Sequence, residues 1–275
     1  MTNILIIAGK EIQEGLRNRW VLATTLLLAA LALTLSFLGS APTGNVGINR
    51  LDVTIVSLSS LTIFLVPLIA LLLSHDAVVG ESERGTMLLL LSYPISLSEV
   101  IFGKFAGHLA ILAFATLCGY GAAAAALMAT GAEVGSESWI AFASMIGYSI
   151  LLGAIFLAIG YLMSTLARER STAGGIAIGI WLFFVLIYDM ALLGGLVAAQ
   201  GHAVPPLLLN LLLVANPTDV YRLLNLGSGS AGALSGLGGI AENSALSAPV
   251  LTVALLAWTV VPLALANLIF SRREA

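Results

Sequence analysis

The sequence predicts an all-α, polytopic membrane protein with six transmembrane helices, and three observations carry that reading. Of 275 residues, 59% are apolar and 9% charged, with a mean hydropathy of +1.06, whereas soluble domains carry roughly a quarter charged residues. Apolar runs, without charge except for Asp189, occupy 21–38, 53–74, 105–130, 139–166, 173–198 and 249–270, close to or above the ~20 residues that cross a hydrocarbon core of ~30 Å. The basic residues are also unevenly placed. With the N-terminus inside, Lys10, Arg17, Arg19, Arg84, Lys104, Arg168, Arg170, Arg272 and Arg273 are cytoplasmic, and only Arg50 and Arg222 of the 11 are outside. The positive-inside rule therefore puts both termini in the cytoplasm, and residues 1–275 read as a single transmembrane domain.

Composition also excludes function classes. A net charge of −3 without a basic stripe argues against nucleic-acid binding. The lone Cys118 sits in an apolar run, so neither a disulfide framework nor a CxxC metal site is available.

In residues 1–19, Ile4, Ala8, Ile12 and Leu16 form one helical stripe among Lys10, Glu11, Glu14 and Arg17, which predicts an amphipathic helix along the cytoplasmic interface. Trp20 marks the membrane border. The first apolar run continues into Gly39-Ser40 without a small-residue cleavage pattern and reads as a retained span. The segment 203–215 is too short to cross, opens with Pro205-Pro206 and contains Asn210, so it suits an interfacial or re-entrant helix. Residues 199–248 form the longest external stretch. There Asn216-Pro217-Thr218-Asp219 offers turn chemistry, and Asp219 could cap a short helix through Leu224.

The most polar segment is 75–104, wedged between two spans. His75-Asp76 leads to Glu81-Ser82-Glu83-Arg84-Gly85-Thr86, then a leucine run, Ser92-Tyr93-Pro94 and Lys104. Glu81–Leu91 reads as one short helix with an acidic first turn, Met87 among its apolar residues, and Gly85 inside it where another backbone approaches. Pro94 stops it, and Ser96-x-x-Glu99 is a capping box that starts the next span near Ser98. Such helix, break and helix grammar on the cytoplasmic side predicts an ordered docking element rather than a spacer.

Glu81-x-Glu83-x-Gly85-Thr86, the leucine run, Ser92-x-Pro94 and Gly103-Lys104 resemble the first cytoplasmic loop of ABC-2-type transporter permeases. In that family the loop carries a coupling helix seated in a separate ATPase subunit. The resemblance therefore implies that Glu81, Glu83, Arg84, Gly85, Thr86 and Met87 couple to an ATPase, and that ATP and Mg are bound there and not by this chain. Arg17-Asn18-Arg19-Trp20-Val21-Leu22, Pro67-Leu68-Ile69-Ala70-Leu71, Gly103-Lys104-Phe105-x-Gly107-His108 and Asn216-Pro217-Thr218-Asp219-Val220-x-Arg222-Leu223 are similar to permeases of copper-processing transporters. That likeness implies a homodimer in the bacterial inner membrane. It also implies a periplasmic β-helical partner facing Asp219 and Arg222, a copper chaperone as a further partner, and service to the copper sites of nitrous oxide reductase.

The chain itself offers no copper path. Copper(I) favours thioether and thiolate ligands, yet Met87, Met128, Met145, Met163 and Met190 are scattered, and His75, His108 and His202 fall in three regions. No metal ligand is named, and His75-Asp76 and His108 read as ordinary interface residues. Gly227-x-Gly229-x-x-Gly232 and Leu234-Ser235-Gly236 imitate nucleotide signatures but follow no strand and lie outside. Asp189 is the carboxylate deep inside a predicted span and is a candidate functional residue, unless Tyr188, Tyr161 or Tyr148 satisfies it. Gly175-x-x-x-Gly179 and the small residues of 119–126 read as helix-packing or dimer surfaces. The sequence thus predicts a non-catalytic permease subunit. The alternatives are an exporter of a small solute, sulfur species or lipid, and an intramembrane enzyme, for which no convergent catalytic set exists.

Overall fold

The computed structural model describes residues 2–17, 19–38, 50–129, 135–198, 205–226 and 246–272. Every regular element among them is helical: α1 (Thr2–Arg17), α2 (Arg19–Leu38), α3 (Arg50–Ser74), α4 (Val79–Glu83), α5 (Thr86–Leu91), α6 (Leu97–Ala129) and α7 (Ser136–Leu166). Then come α8 (Arg170–Leu182), a π turn (Phe183–Ile187), α9 (Tyr188–Ala198), α10 (Pro206–Val214), α11 (Pro217–Leu226) and α12 (Ala248–Arg272). Both glycine-rich nucleotide look-alikes, His202 and much of the external stretch lie outside the described residues.

Five helical stretches among the described residues are long and apolar enough to cross a membrane: α3 with α4, α6, α7, α8 with α9, and α12. The 20 residues of α2 span about 30 Å at 1.5 Å each. The pair α10 and α11 is bent by 105°, the geometry of a broken span or of a re-entrant loop. α6 starts eight residues before the predicted run. Its start is the capping box, with Ser96 N–H donating to Glu99 Oε2 at 2.9 Å and Glu99 N–H to Ser96 Oγ at 3.2 Å.

α7 is the central post, with Leu152–Tyr161 wholly buried. α3, α6 and α12 pack around it, and α2 lies on α6. Small residues set how closely these helices approach. A Cβ on Gly153 of α7 would collide with Leu112 of α6 and stand 3.1 Å from Val66 of α3, and one on Gly160 would collide with Ser74. A Cβ on Gly119 would stand 3.1 Å from Leu28 of α2. Gly175 and Gly179, by contrast, meet nothing within 4 Å in this chain, so they are not intrachain packing. Several buried hydroxyls bond one turn back, as Thr62 to Leu58 O (2.7 Å) and Ser149 to Met145 O (2.7 Å), which satisfies these donors in an apolar interior.

α1 is helical as expected but does more than rest on an interface. Ile7, Ala8 and Glu11 are buried against α6, while Leu5, Ile6 and Leu16 face outward. The seat is a groove of two glycines: a Cβ at Gly103 would stand 2.8 Å from Ile7 Cβ, and one at Gly107 2.6 Å from Glu11 Cβ.

Gly153→Leu is expected to overpack the junction of α3, α6 and α7 at a cost of about 1–3 kcal/mol, lowering the thermal midpoint of the purified protein. Gly121→Leu on α6, where a Cβ meets nothing within 4 Å, is the control and should not lower it.

Candidate functional site

The polar loop after α3 folds back onto the end of α7. Val78 and Val79 N–H both donate to Ser164 Oγ, at 3.0 and 3.1 Å, so a side chain of α7 satisfies the amides that start α4. The expected single helix over 81–91 is two helices, α4 and α5, broken at Arg84-Gly85. Gly85 adopts φ +71° and has open space where a Cβ would be. Its role is thus the left-handed backbone that turns α4 into α5, not the close approach of another segment of this chain. Thr86 Oγ1 closes the turn by donating to Glu81 O at 3.2 Å.

The loop's acidic residues are not free. Lys104 Nζ donates to Glu11 Oε1 at 2.7 Å and contacts Glu81 Oε1 at 2.6 Å, and the three residues are 3%, 7% and 9% exposed. Glu81, expected at the ATPase-facing surface, is therefore turned inward onto α6 in this fold. Glu83 Oε1 accepts the Arg170 N–H at 2.8 Å, supplying an acceptor to the first turn of α8, and Arg170 pairs with Asp76 at 2.9 Å. Met87 is buried in the core. The outward surface of the loop is made by Ser82, Arg84, Thr86, Leu89 and Tyr93, and Leu89 and Tyr93 are each 68% exposed.

His108, expected to be an ordinary interface residue, is buried. Its Nε2 lies 3.4 Å from Glu11 Oε2, and its Nδ1 lies 2.8 Å from the Tyr161 hydroxyl. A carboxylate only accepts, so in the neutral ring Nε2 carries the proton and Nδ1 accepts from Tyr161. Burial by itself would raise the Glu11 carboxyl. The His108 hydrogen bond and the Lys104 charge outweigh it and hold the group at about 2. Beside this cluster a cleft of about 510 Å³ opens between α1, the end of α3 and α8, lined by Glu14, His75, Asp76, Arg84 and Arg170 among others. His75 is held by its Nδ1 contact to Leu72 O at 2.9 Å.

A second polar cluster lies toward the other end. The partner of Asp189 is not one of the tyrosines but Arg222, whose Nη2 donates to Asp189 Oδ2 at 2.5 Å while Nη1 donates to Asp219 Oδ1 at 2.7 Å. Tyr188 donates to Leu212 O, Tyr161 bonds His108, and Tyr148 meets Thr252. Asp219 and Arg222, expected to face an external partner, thus engage each other and α9. The α11 cap is also reassigned: Asn216 Oδ1, not Asp219, accepts the Thr218 N–H at 3.0 Å. Asn216 Nδ2 reaches Asp219 Oδ2 (3.1 Å) and, with Thr218 Oγ1, the Phe184 carbonyl in the π turn (3.0 and 3.4 Å).

Comparison with known proteins places these features in a family. The family described as ABC-2 family transporter protein matches residues 5–275. A probable ABC transporter permease protein NosY of Pseudomonas aeruginosa is 48% identical over 274 residues, 99% of each chain. A protein of the same name from Stutzerimonas stutzeri is 48% identical over 277 residues, again 99% of each.

Because the folded-state carboxyl of Glu11 is lowered from 4.5 to about 2, its stabilising contribution is complete above about pH 4.5 and is lost as pH falls toward 2. Thermal midpoints of the purified wild-type protein should therefore drop between pH 5 and 3, whereas Glu11→Gln should flatten that slope. Equal slopes would contradict the role given to the Lys104 and His108 contacts.

Proposed function

The chain belongs to the ABC-2 transporter family, and from that membership we infer that it is a permease subunit that transmits movement from a separate ATPase across the membrane. The bundle is multi-pass, and six spans with both termini cytoplasmic agree with the distribution of Lys and Arg. The observation that carries the reading is the two-sided build of the α4–α5 loop. Its inner side is pinned to α6, α7 and α8 through Glu81, Ser164 and Glu83, while its outer side presents Leu89 and Tyr93 to a partner. The ATPase contact is therefore assigned to Arg84, Thr86, Leu89 and Tyr93. Glu81, Glu83 and Met87 act behind it, and Gly85 sets the angle between the two helices. ATP and Mg belong to the partner.

Both relatives at 48% identity carry the name NosY. With the likeness to copper-processing permeases, this supports a homodimer in the bacterial inner membrane, working with a NosF-type ATPase, a NosD-type periplasmic β-helical protein and a copper chaperone. The complex serves copper-site assembly in nitrous oxide reductase. Copper is handled by the complex as cargo, and no residue of this chain is assigned as its ligand. Asp219 and Arg222 contribute to the partner-facing side by shaping α11.

Two outcomes test this reading. Leu89→Asp combined with Tyr93→Ala should leave the protein membrane-inserted and helical but abolish co-purification of the ATPase; undiminished co-purification would refute the docking assignment. Glu81→Lys is a poor substitute, because it sets a second cation against buried Lys104. Cells deleted for this chain should still make nitrous oxide reductase, but without its copper sites. Copper-replete reductase in those cells would leave a solute, sulfur-species or lipid exporter as the reading, recognised by a solute-dependent ATPase rate without a periplasmic partner.

A further inference from the structure

The loop is tied to the rest of the bundle by a closed circuit of side-chain contacts. From Glu81 on α4 it passes to Lys104 on α6, to Glu11 on α1, to His108 on α6 and to Tyr161 on α7. Ser164 sits on the same face of α7 as Tyr161, three residues on, and returns the circuit to α4 through Val78 and Val79 N–H. Lys104 is the narrowest point. A single ammonium serves two carboxylates from α1 and α4, which are separated in the chain by α2 and α3. All three groups are out of water, so α1 and α4 cannot separate without leaving a buried charge unpaired. The glycine groove of α6 adds close contact: with Gly103 and Gly107 beneath it, α1 sits too near the α6 backbone to slide independently.

We propose that Lys104 is a positioning residue that clamps the α4–α5 loop to α1 and α6, so that displacement of the loop moves the interfacial helix and the first long helix after it as one body. The proposal rests on the reading of α4–α5 as the ATPase contact. A motion applied to Leu89 and Tyr93 reaches Glu81 within the same short loop, and Lys104 passes it to two helices at once. His108 and Tyr161 hold Glu11 from the α7 side and keep its second oxygen from turning away. Simple packing would be served as well by apolar residues of similar size, whereas a shared cation fixes one relative placement of the three elements.

The test uses the full chain co-expressed with its ATPase in lipid nanodiscs, carrying spin labels at the exposed positions Gln13 on α1 and Ser82 on α4, neither of which is assigned to the ATPase contact. In wild type the label-to-label distance should be narrow and unchanged between nucleotide-free and nucleotide-trapped complexes. Lys104→Met should broaden it and make it shift with nucleotide. It should also lower output per ATP hydrolysed by about tenfold, within the range of typical site-to-site coupling, with ATPase co-purification unchanged. Lys104→Arg should restore the narrow distance. An unaltered distance in Lys104→Met, or loss of co-purification in place of a broadened distance, overturns the proposal. If Lys104→Met does not fold, Glu81→Gln, which leaves Lys104 a neutral pair with Glu11, must still broaden the distance, and failure to do so also overturns it. A wild-type chain that retains no ATPase refutes the functional reading separately, because the nucleotide-free distances of wild type and variant still decide the clamp.

Discussion

Among the described residues, two cations shielded from water, Lys104 and Arg222, are each shared between two carboxylates, and the cost of stranding a charge away from water fixes much of what surrounds each. Lys104 lies between Glu11 and Glu81, and Arg222 between Asp189 and Asp219. In each case the cation joins elements that packing alone would allow to drift: α1 and α4 in the first, α9 and α11 in the second. The chemistry differs in a way that suits the geometry. The lysine ammonium is a compact point charge and accepts neighbours from two sides of α6, whereas the guanidinium fork gives one nitrogen to each carboxylate.

Between the two clusters the bundle is held by closeness rather than charge. Glycines 119, 153 and 160 let α2, α3 and α6 approach their neighbours to backbone range. Buried tyrosines then bridge helices through hydroxyls, Tyr120 to Thr62 at 2.5 Å and Tyr221 to Ser149 at 3.0 Å. Burial is uneven around this core. Half of the most apolar stretch of α3, α6 and α7 is buried, but only 11% of that of α8–α9. The outer surface of α8–α9, including Ile176, Phe183, Ile187 and Leu193, is left for lipid or a second copy of the chain.

The sequence made legible whatever depends on local spacing or on bulk transfer to lipid. Apolar run length located the long helices, and Ser96-x-x-Glu99 located the start of α6 because a capping box is complete within four residues. Long-range pairing was not legible. Glu11 and Lys104 are 93 positions apart, so nothing in either neighbourhood announces the contact, and Lys104 read simply as a flank of the loop. The glycines at 103 and 107 were in view as a likeness to relatives, but their partner, α1, was assigned to the membrane surface. Gly85 stands out in the sequence, but a positive φ and a close approach leave the same mark there, and it is the backbone at φ +71° that shows the first of these in this fold. The pairing of Arg222 with Asp189 is hidden for the same cause as that of Lys104 with Glu11, since that acid lies on α9, 33 positions before it.

One continuous element links the two charge clusters. Asp76 and Glu83, in the same loop that Lys104 clamps, hold Arg170 at the first turn of α8. From there α8 runs through the π turn into α9, which carries Asp189 to Arg222. A π turn frees a carbonyl from the helical ladder, and here the Phe184 carbonyl is taken up by Asn216 and Thr218. The joint in α8–α9 is thus bonded to the α10–α11 hairpin. With so little of α8–α9 buried elsewhere, its placement rests chiefly on its two polar attachments and on Trp181 Nε1–H bonding Phe64 O at 2.9 Å. Any change in the loop that shifts Arg170 therefore bears on a helix whose other anchor is the Asp189–Arg222–Asp219 network, so that α8–α9 joins the loop, through the Asp76 and Glu83 contacts, to the second charge cluster.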